Sequence, residues 1–214
     1  MKKLTFAIVI LTALCARVEA APVLFDFDSA PLHSPLPLDL TVDGITAHFS
    51  ATGQGFSIQR ADTLGFTPVG FSGNSIYPSS VFPADLLVGF SQTLTDFSIL
   101  YAPEEYATDS SARMRVTAYM NGSLVGTNTA TADPPGTWPT ATLSFSSALA
   151  FNSVVVHYDA PPPTGGDYGP IFMADNMSVT AATAAIPEPD TYSMLLAGLG
   201  LLGFMARRGK QIAA

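Results

Sequence analysis

Residues 113–128 read RMRVTAYMNGSLVGTN, and this stretch decides the fold class. Val116, Ala118 and Met120 alternate with Arg115, Thr117 and Tyr119, the period of two that a half-buried strand requires. Asn121-Gly122 follows at once, a pair that tolerates positive φ at both positions and so closes a two-residue hairpin. A second apolar run begins directly afterwards. The stretch therefore predicts two antiparallel strands, Arg113–Met120 and Ser123–Asn128.

The same texture extends in both directions. Short β-type runs occur at Val23–Asp28, Ile45–Ala51, Phe56–Gln59, Leu86–Phe90, Thr95–Tyr101, Thr140–Phe145, Ser153–Tyr158 and Met173–Thr180. Between them lie turn-rich segments: Asp62–Ser80, Asp133–Pro139 and Pro161–Pro170. The 17 Gly and 17 Pro of the 214 residues disfavour long helices, and no internal repeat suggests a propeller or β-helix. About ten short strands predict an all-β domain, an antiparallel, jelly-roll-like β-sandwich, with a closed barrel as the alternative. The single Cys, Cys15, excludes a disulfide scaffold and a Cys-based zinc site.

The two ends have another character. Lys2 and Lys3 precede the apolar run Leu4–Ala16, and Val18-Glu19-Ala20 supplies small residues at the exit, which predicts a signal helix cleaved before Ala21. At the other end Ile186-Pro187-Glu188-Pro189-Asp190-Thr191 leads into the apolar stretch Tyr192–Ala206 and then Arg207-Arg208-Gly209-Lys210. As a helix that stretch would span about 22 Å against a hydrocarbon core of about 30 Å, so crossing requires thinning of the bilayer and snorkelling by the basic residues. The cluster after it favours a cytoplasmic C-terminus. Gly198-Leu199-Gly200-Leu201-Leu202-Gly203 matches a dinucleotide fingerprint only literally, because the strand before it and the acid beyond it are missing.

This tail resembles the PEP-CTERM sorting signal found on exopolysaccharide-associated proteins of Gram-negative bacteria. The resemblance rests on the order Pro187-Glu188-Pro189, a short Gly/Leu-rich span, then Arg207-Arg208. It implies recognition by an exosortase, a membrane enzyme that cleaves near the Pro-Glu-Pro, and a transient membrane anchor before release to the cell surface or the extracellular space. The expected organisation is a signal peptide over 1–20, the β-sandwich over 21–180, a linker over 181–185 and the sorting tail over 186–210. The middle resembles, more loosely, the β-sandwich domains common among such proteins. Phe25-Asp26-Phe27-Asp28, the Asn121-Gly122 hairpin and the run Phe172–Val179 carry that likeness, and similar terminal strands occur in carbohydrate-binding jelly rolls.

Chemistry is sparse. Residues 21–185 hold three basic residues, Arg60, Arg113 and Arg115, against 14 acidic ones, a net charge of −11 that disfavours nucleic acid and anionic lipid as partners. His33, His48 and His157 show no metal-ligand spacing, no nucleophile elbow is present, and the neighbours Glu104 and Glu105 fit a glycosidase pair poorly. No catalytic residues are expected. Two binding roles remain. Asp26, Asp28 and Asp175, on the first and last strands, form a candidate calcium site. Trp138, on a stiff Pro-rich loop, is a candidate for stacking on sugar rings. The sequence thus points to an exported, non-enzymatic matrix or surface protein with a structural or adhesive role in the exopolysaccharide or biofilm layer. A carbohydrate-binding module is the alternative, and a secreted hydrolase comes third.

Overall fold

A computed structural model describes residues 20–103, 113–132, 138–159, 171–182 and 196–200. The chain divides into two compact units, residues 20–182 and residues 1–19 with 183–214. In the second unit the described residues are 196–200, which are helical. Among the described residues no helix is long and apolar enough to cross a membrane. The remainder of the expected signal and C-terminal helices lies outside the described residues.

The first unit is an antiparallel β-sandwich. Its strands are β1 (Val23–Phe25), β2 (Leu38–Val42), β3 (Ile45–Ala51), β4 (Phe56–Arg60), β5 (Asn74–Pro78), β6 (Leu86–Pro103), β7 (Arg113–Met120), β8 (Ser123–Thr131), β9 (Ala141–Tyr158) and β10 (Phe172–Ala181). The hairpin at Asn121-Gly122 forms as the sequence predicts, with φ of 50° and 82° at the turn.

Two strands of 18 residues organise everything else. The first part of β6, Leu86–Gly89, pairs with β3 on one side and with the second half of β9 on the other. Register shifts between Gly89 and Asp96 then bend both strands, and the second half of β6 pairs with β10 and with the first half of β9. One layer is therefore β2-β3-β6-β9-β7-β8. The other is β9-β6-β10-β5-β4, with β1 on the same side of β10 as β5. The sequence suggests two strands in each of these regions; each pair is one bent strand, because Ser91-Gln92-Thr93 and Ser146–Ala150 carry no Gly or Pro to end the ladder.

The core lies between the layers. Val88, Val116 and Val156 from one layer and Ile76, Ile99 and Ala174 from the other belong to one buried cluster. Aromatic rings join the layers where Phe49 of β3 meets Phe25 of β1 at 6.3 Å and Phe27 at 5.3 Å, both edge-on, and within the second layer Phe56 of β4 meets Phe172 of β10 at 5.0 Å. β1 stops at Phe25, short of the Asp28 expected, because Phe27 takes a positive φ of 60° that no strand continues.

Candidate functional site

Two surfaces of the sandwich collect the polar chemistry. The first is the corner where β1 meets β10. Pairing of Val23 with Val179 and of Phe25 with Met177 carries Asp26 and Asp28 towards Asp175. The structure thus brings the three expected acids to one corner. Their oxygens are engaged by backbone. Asp28 Oδ1 accepts the Asn74 N–H at 2.7 Å, and Asp26 Oδ1 accepts the Asp28 N–H at 3.1 Å. Asp175 accepts the Ser72 N–H at 3.1 Å on Oδ2 and the Asn176 N–H at 2.7 Å on Oδ1. Gly73 has to be glycine here: its φ is +56°, and a Cβ would lie 1.8 Å from Asp28 Oδ1. Asp28 therefore fastens the 70–74 loop to the 26–30 turn, and Asp175 fastens the same loop to β10. Among the described residues no group of three His, Cys, Asp or Glu is arranged to hold a metal ion.

Asp175 is fully buried. Burial raises its pKa to about 6; the two backbone N–H groups oppose this, and the charges of Asp28 and Asp26 add to it. Sequence reading missed its neighbour Ser75. That residue is also buried, sits one register step from the Ala174–Ile76 pair and so opposite Asp175, and among the described residues its Oγ has no hydrogen-bond partner.

The titration has a measurable sign. The folded-state pKa lies above the unfolded value of about 3.9, so the full stability is present below about pH 4 and is lost as pH rises through about 6, with a cost of about 3 kcal/mol. Melting temperature followed from pH 4 to pH 7 should fall accordingly. Asp175→Asn should flatten that part of the profile. At pH 4 it should itself be less stable by about 1–3 kcal/mol, because an amide leaves one of the two N–H groups without an acceptor. An unchanged profile in the variant would assign the pH dependence elsewhere. Millimolar calcium and a chelator, added at pH 7, read calcium occupancy of the same corner: a raised midpoint shows binding, and an unmoved one removes the ion from the account.

Trp138 is placed in a core. It is 6 % exposed and packs with Ala61, Phe71, Ala102, Ile171 and Met173, a second apolar cluster on the side of β10 opposite the main core. Its backbone φ of 64° is unusual for a bulky residue and is held by that packing. In the described structure no open Trp138 face is available for a sugar ring.

The second surface is the outer face of the layer β2-β3-β6-β9-β7-β8. Period-two alternation turns Arg113, Arg115, Thr117 and Tyr119 outward from β7, and the register places Arg115 beside His157 and Tyr119 beside Ser153 of β9. His157 Nδ1 lies 2.6 Å from Asp85 Oδ1, and its Nε2 lies 3.6 Å from Asp159 Oδ1. Arg115 Nη2 reaches Asp159 at 3.2 Å and Arg113 Nε stands 3.7 Å from it. At the far side of the layer His48 Nδ1 meets Asp39 Oδ1 at 2.5 Å. Asp85 and His157 are 72 residues apart, so only the β6–β9 register reveals their pairing. Glu104, Glu105 and the sorting residues Pro187, Glu188, Pro189, Arg207 and Arg208 lie outside the described residues.

No curated protein matches the chain. Among solved structures, the K2 cleaved adhesin domain of Lys-gingipain is similar at 14% identity and a TM-score of 0.47, over 75% of this chain and 99% of that one. A family 29 carbohydrate-binding module is similar at 12% identity and a TM-score of 0.38, over 76% of this chain and 90% of that one. A family 61 module, TmCBM61 in complex with β-1,4-galactotriose, is similar at 8% identity and a TM-score of 0.38, over 64% and 88%. The family model PEP-CTERM protein-sorting motif matches residues 185–209, the stretch that runs from before Pro187-Glu188-Pro189 to beyond Arg207-Arg208, and so the chain carries a PEP-CTERM sorting motif behind its β-sandwich.

Proposed function

We propose that this chain is an exported protein, sorted by an exosortase through a transient membrane anchor to the cell surface or the extracellular matrix. There its sandwich acts as a structural or adhesive element of the polysaccharide layer, without enzymatic activity. The observation that carries this reading is the sorting motif at 185–209 joined to a β-sandwich unit. The excess of 14 acidic over three basic residues in 21–185 supports a partner other than nucleic acid. The carbohydrate-binding reading draws on the outward row of charged, hydroxyl and aromatic side chains around Arg115, Thr117 and Tyr119.

Fractionation of the native host tests the first part. The chain should be found with the cell surface and the extracellular polysaccharide, and a cytoplasmic chain would overturn the proposal. Affinity electrophoresis through gels containing the host's own extracellular polysaccharide tests the second. Retarded migration supports contact with the polysaccharide, and unretarded migration removes it.

A further inference from the structure

We infer that the outer sheet face around Arg113, Arg115 and His157 is a binding surface for a carboxylated polysaccharide, with the two guanidinium groups as the subsite for a sugar carboxylate. This inference rests on the polysaccharide reading above and adds where the polymer lies and which chemical class it belongs to.

The charge distribution points there. Of the three basic residues between 20 and 182, Arg60 is already answered: its Nε and Nη2 donate to the two carboxylate oxygens of Asp62 at 2.9 and 3.0 Å. The remaining two, Arg113 and Arg115, stand two residues apart on β7 and point to the same side. Together they face one carboxylate, Asp159. Arg113 comes to 3.7 Å, beyond hydrogen-bond distance, and Arg115 comes to 3.2 Å through Nη2, while among the described residues its buried Nε has no partner. Two five-donor guanidiniums sharing one anion leave most of their donors unfilled. Their side chains are 57 % and 41 % exposed, whereas Asp159 is 18 % exposed, so the cations lie above the anion that partly neutralises them.

Everywhere else the unit repels anions. Apart from Arg113 and Arg115 its only Lys or Arg is the engaged Arg60, against 14 acidic residues in 21–185. The net charge of the unit opposes a polyanion at long range, so binding rests on local contacts: a carboxylate bridging Arg113 and Arg115 would form the paired, charge-assisted contacts that guanidinium geometry favours. The neighbouring register rows suit the rest of a sugar chain. Thr117 supplies a hydroxyl beside the half-buried Val155, and beyond it Tyr119 adds an aromatic ring beside Ser153. Among the described residues no strand packs over these rows.

The full chain should migrate more slowly in gels containing polygalacturonate than in plain gels, and the same polymer after carboxyl reduction should bind about tenfold more weakly or less well still. Added salt should weaken the retardation. The pair Arg113→Ala with Arg115→Ala should lose about tenfold or more in affinity, and Arg60→Ala, on another face, should behave as the parent. Arg115→Lys keeps the charge and the aliphatic stem but not the fork; it should lie between parent and alanine variant at an unchanged melting temperature, which separates loss of the subsite from loss of the fold. Equal binding of polygalacturonate and its reduced form, or full affinity in the double variant, overturns the inference. Binding of the host polysaccharide that survives the double variant overturns it while the wider reading stands; no binding of any polysaccharide overturns both.

Discussion

Trp138→Ala is expected to destabilise the sandwich by about 3–5 kcal/mol, the cost of removing a large aromatic side chain from a packed site that cannot collapse around the void. For a domain of this size that corresponds to a fall of about 6–20 °C in melting temperature, a large part of a total stability of about 5–15 kcal/mol. The expectation follows from the ring's place against Phe71, Ala102, Ile171 and Met173, under the segment that carries Ala61 and Phe71. Trp138→Phe keeps an apolar ring and should recover more than half of the loss. Because Trp138 is the only tryptophan, its emission reports the environment without a label: it should be blue-shifted in the native protein and unmoved by saturating polysaccharide. A Trp138→Ala protein that melts with the parent, or an emission maximum that shifts on adding polysaccharide, would return Trp138 to the surface role that its Pro-rich loop suggests.

The contrast between loop context and burial shows where sequence reading works in this chain. The hairpin at Asn121-Gly122 was legible because the alternation in β7 and the turn chemistry agree. The hairpin that joins β2 to β3 carries the same chemistry at Asp43-Gly44, with φ of 45° and 79°, yet β2 goes unread because it follows directly on Pro35-Leu36-Pro37 and its buried side is only half covered. β5 goes unread for a related reason: it lies within a Gly-, Ser- and Pro-rich stretch and ends at Pro78, and only pairing with β4 and β10 makes it a strand. The long strands β6 and β9 exceed what any local window shows, since their continuity is a property of two layers sharing them. The candidate sites divide in the same way. That Asp26, Asp28 and Asp175 meet was legible from the first and last strands. That their oxygens bind the backbone of Asp28, Ser72, Asn74 and Asn176 was not, because the 70–74 loop reaches them from 46 residues away along the chain in the case of Asn74 and Asp28. The Asp85–His157–Arg115 row is invisible without the register, and it is the one arrangement that no local motif announces.

Replacing Pro187-Glu188-Pro189 with three alanines is expected to abolish processing while leaving export intact, so that the full-length form accumulates in the membrane. Two features of the sequence separate these outcomes. On the proposed reading export depends on the basic start and apolar run of residues 1–20, which the sequence separates from the tail. Processing depends on a segment that a membrane enzyme can enter. Pro187 and Pro189 fix φ and lack N–H donors, a sequence pattern that favours an extended segment before the apolar stretch, and Glu188 places a single charge between them. Alanine would instead let the helix grow back through this point. On the proposed reading the stretch Tyr192–Ala206, which as a helix would span about 22 Å, is a poor permanent anchor for a bilayer core of about 30 Å, and Arg207, Arg208 and Lys210 would oppose its withdrawal until cleavage. Intact mass spectrometry of the protein from its native host should find a mature chain that begins at Ala21 and ends near Pro187–Asp190. A mature chain that still carries Arg207-Arg208 would show a stable anchor instead. Charge adds a second measurement, because Arg207→Ala with Arg208→Ala removes two of the three charges expected to hold the C-terminus in the cytoplasm. That variant should release unprocessed chain from the membrane or reverse the tail's orientation, whereas the alanine triplet should do neither, and the two phenotypes together would divide the tail into a cleavage element and a retention element.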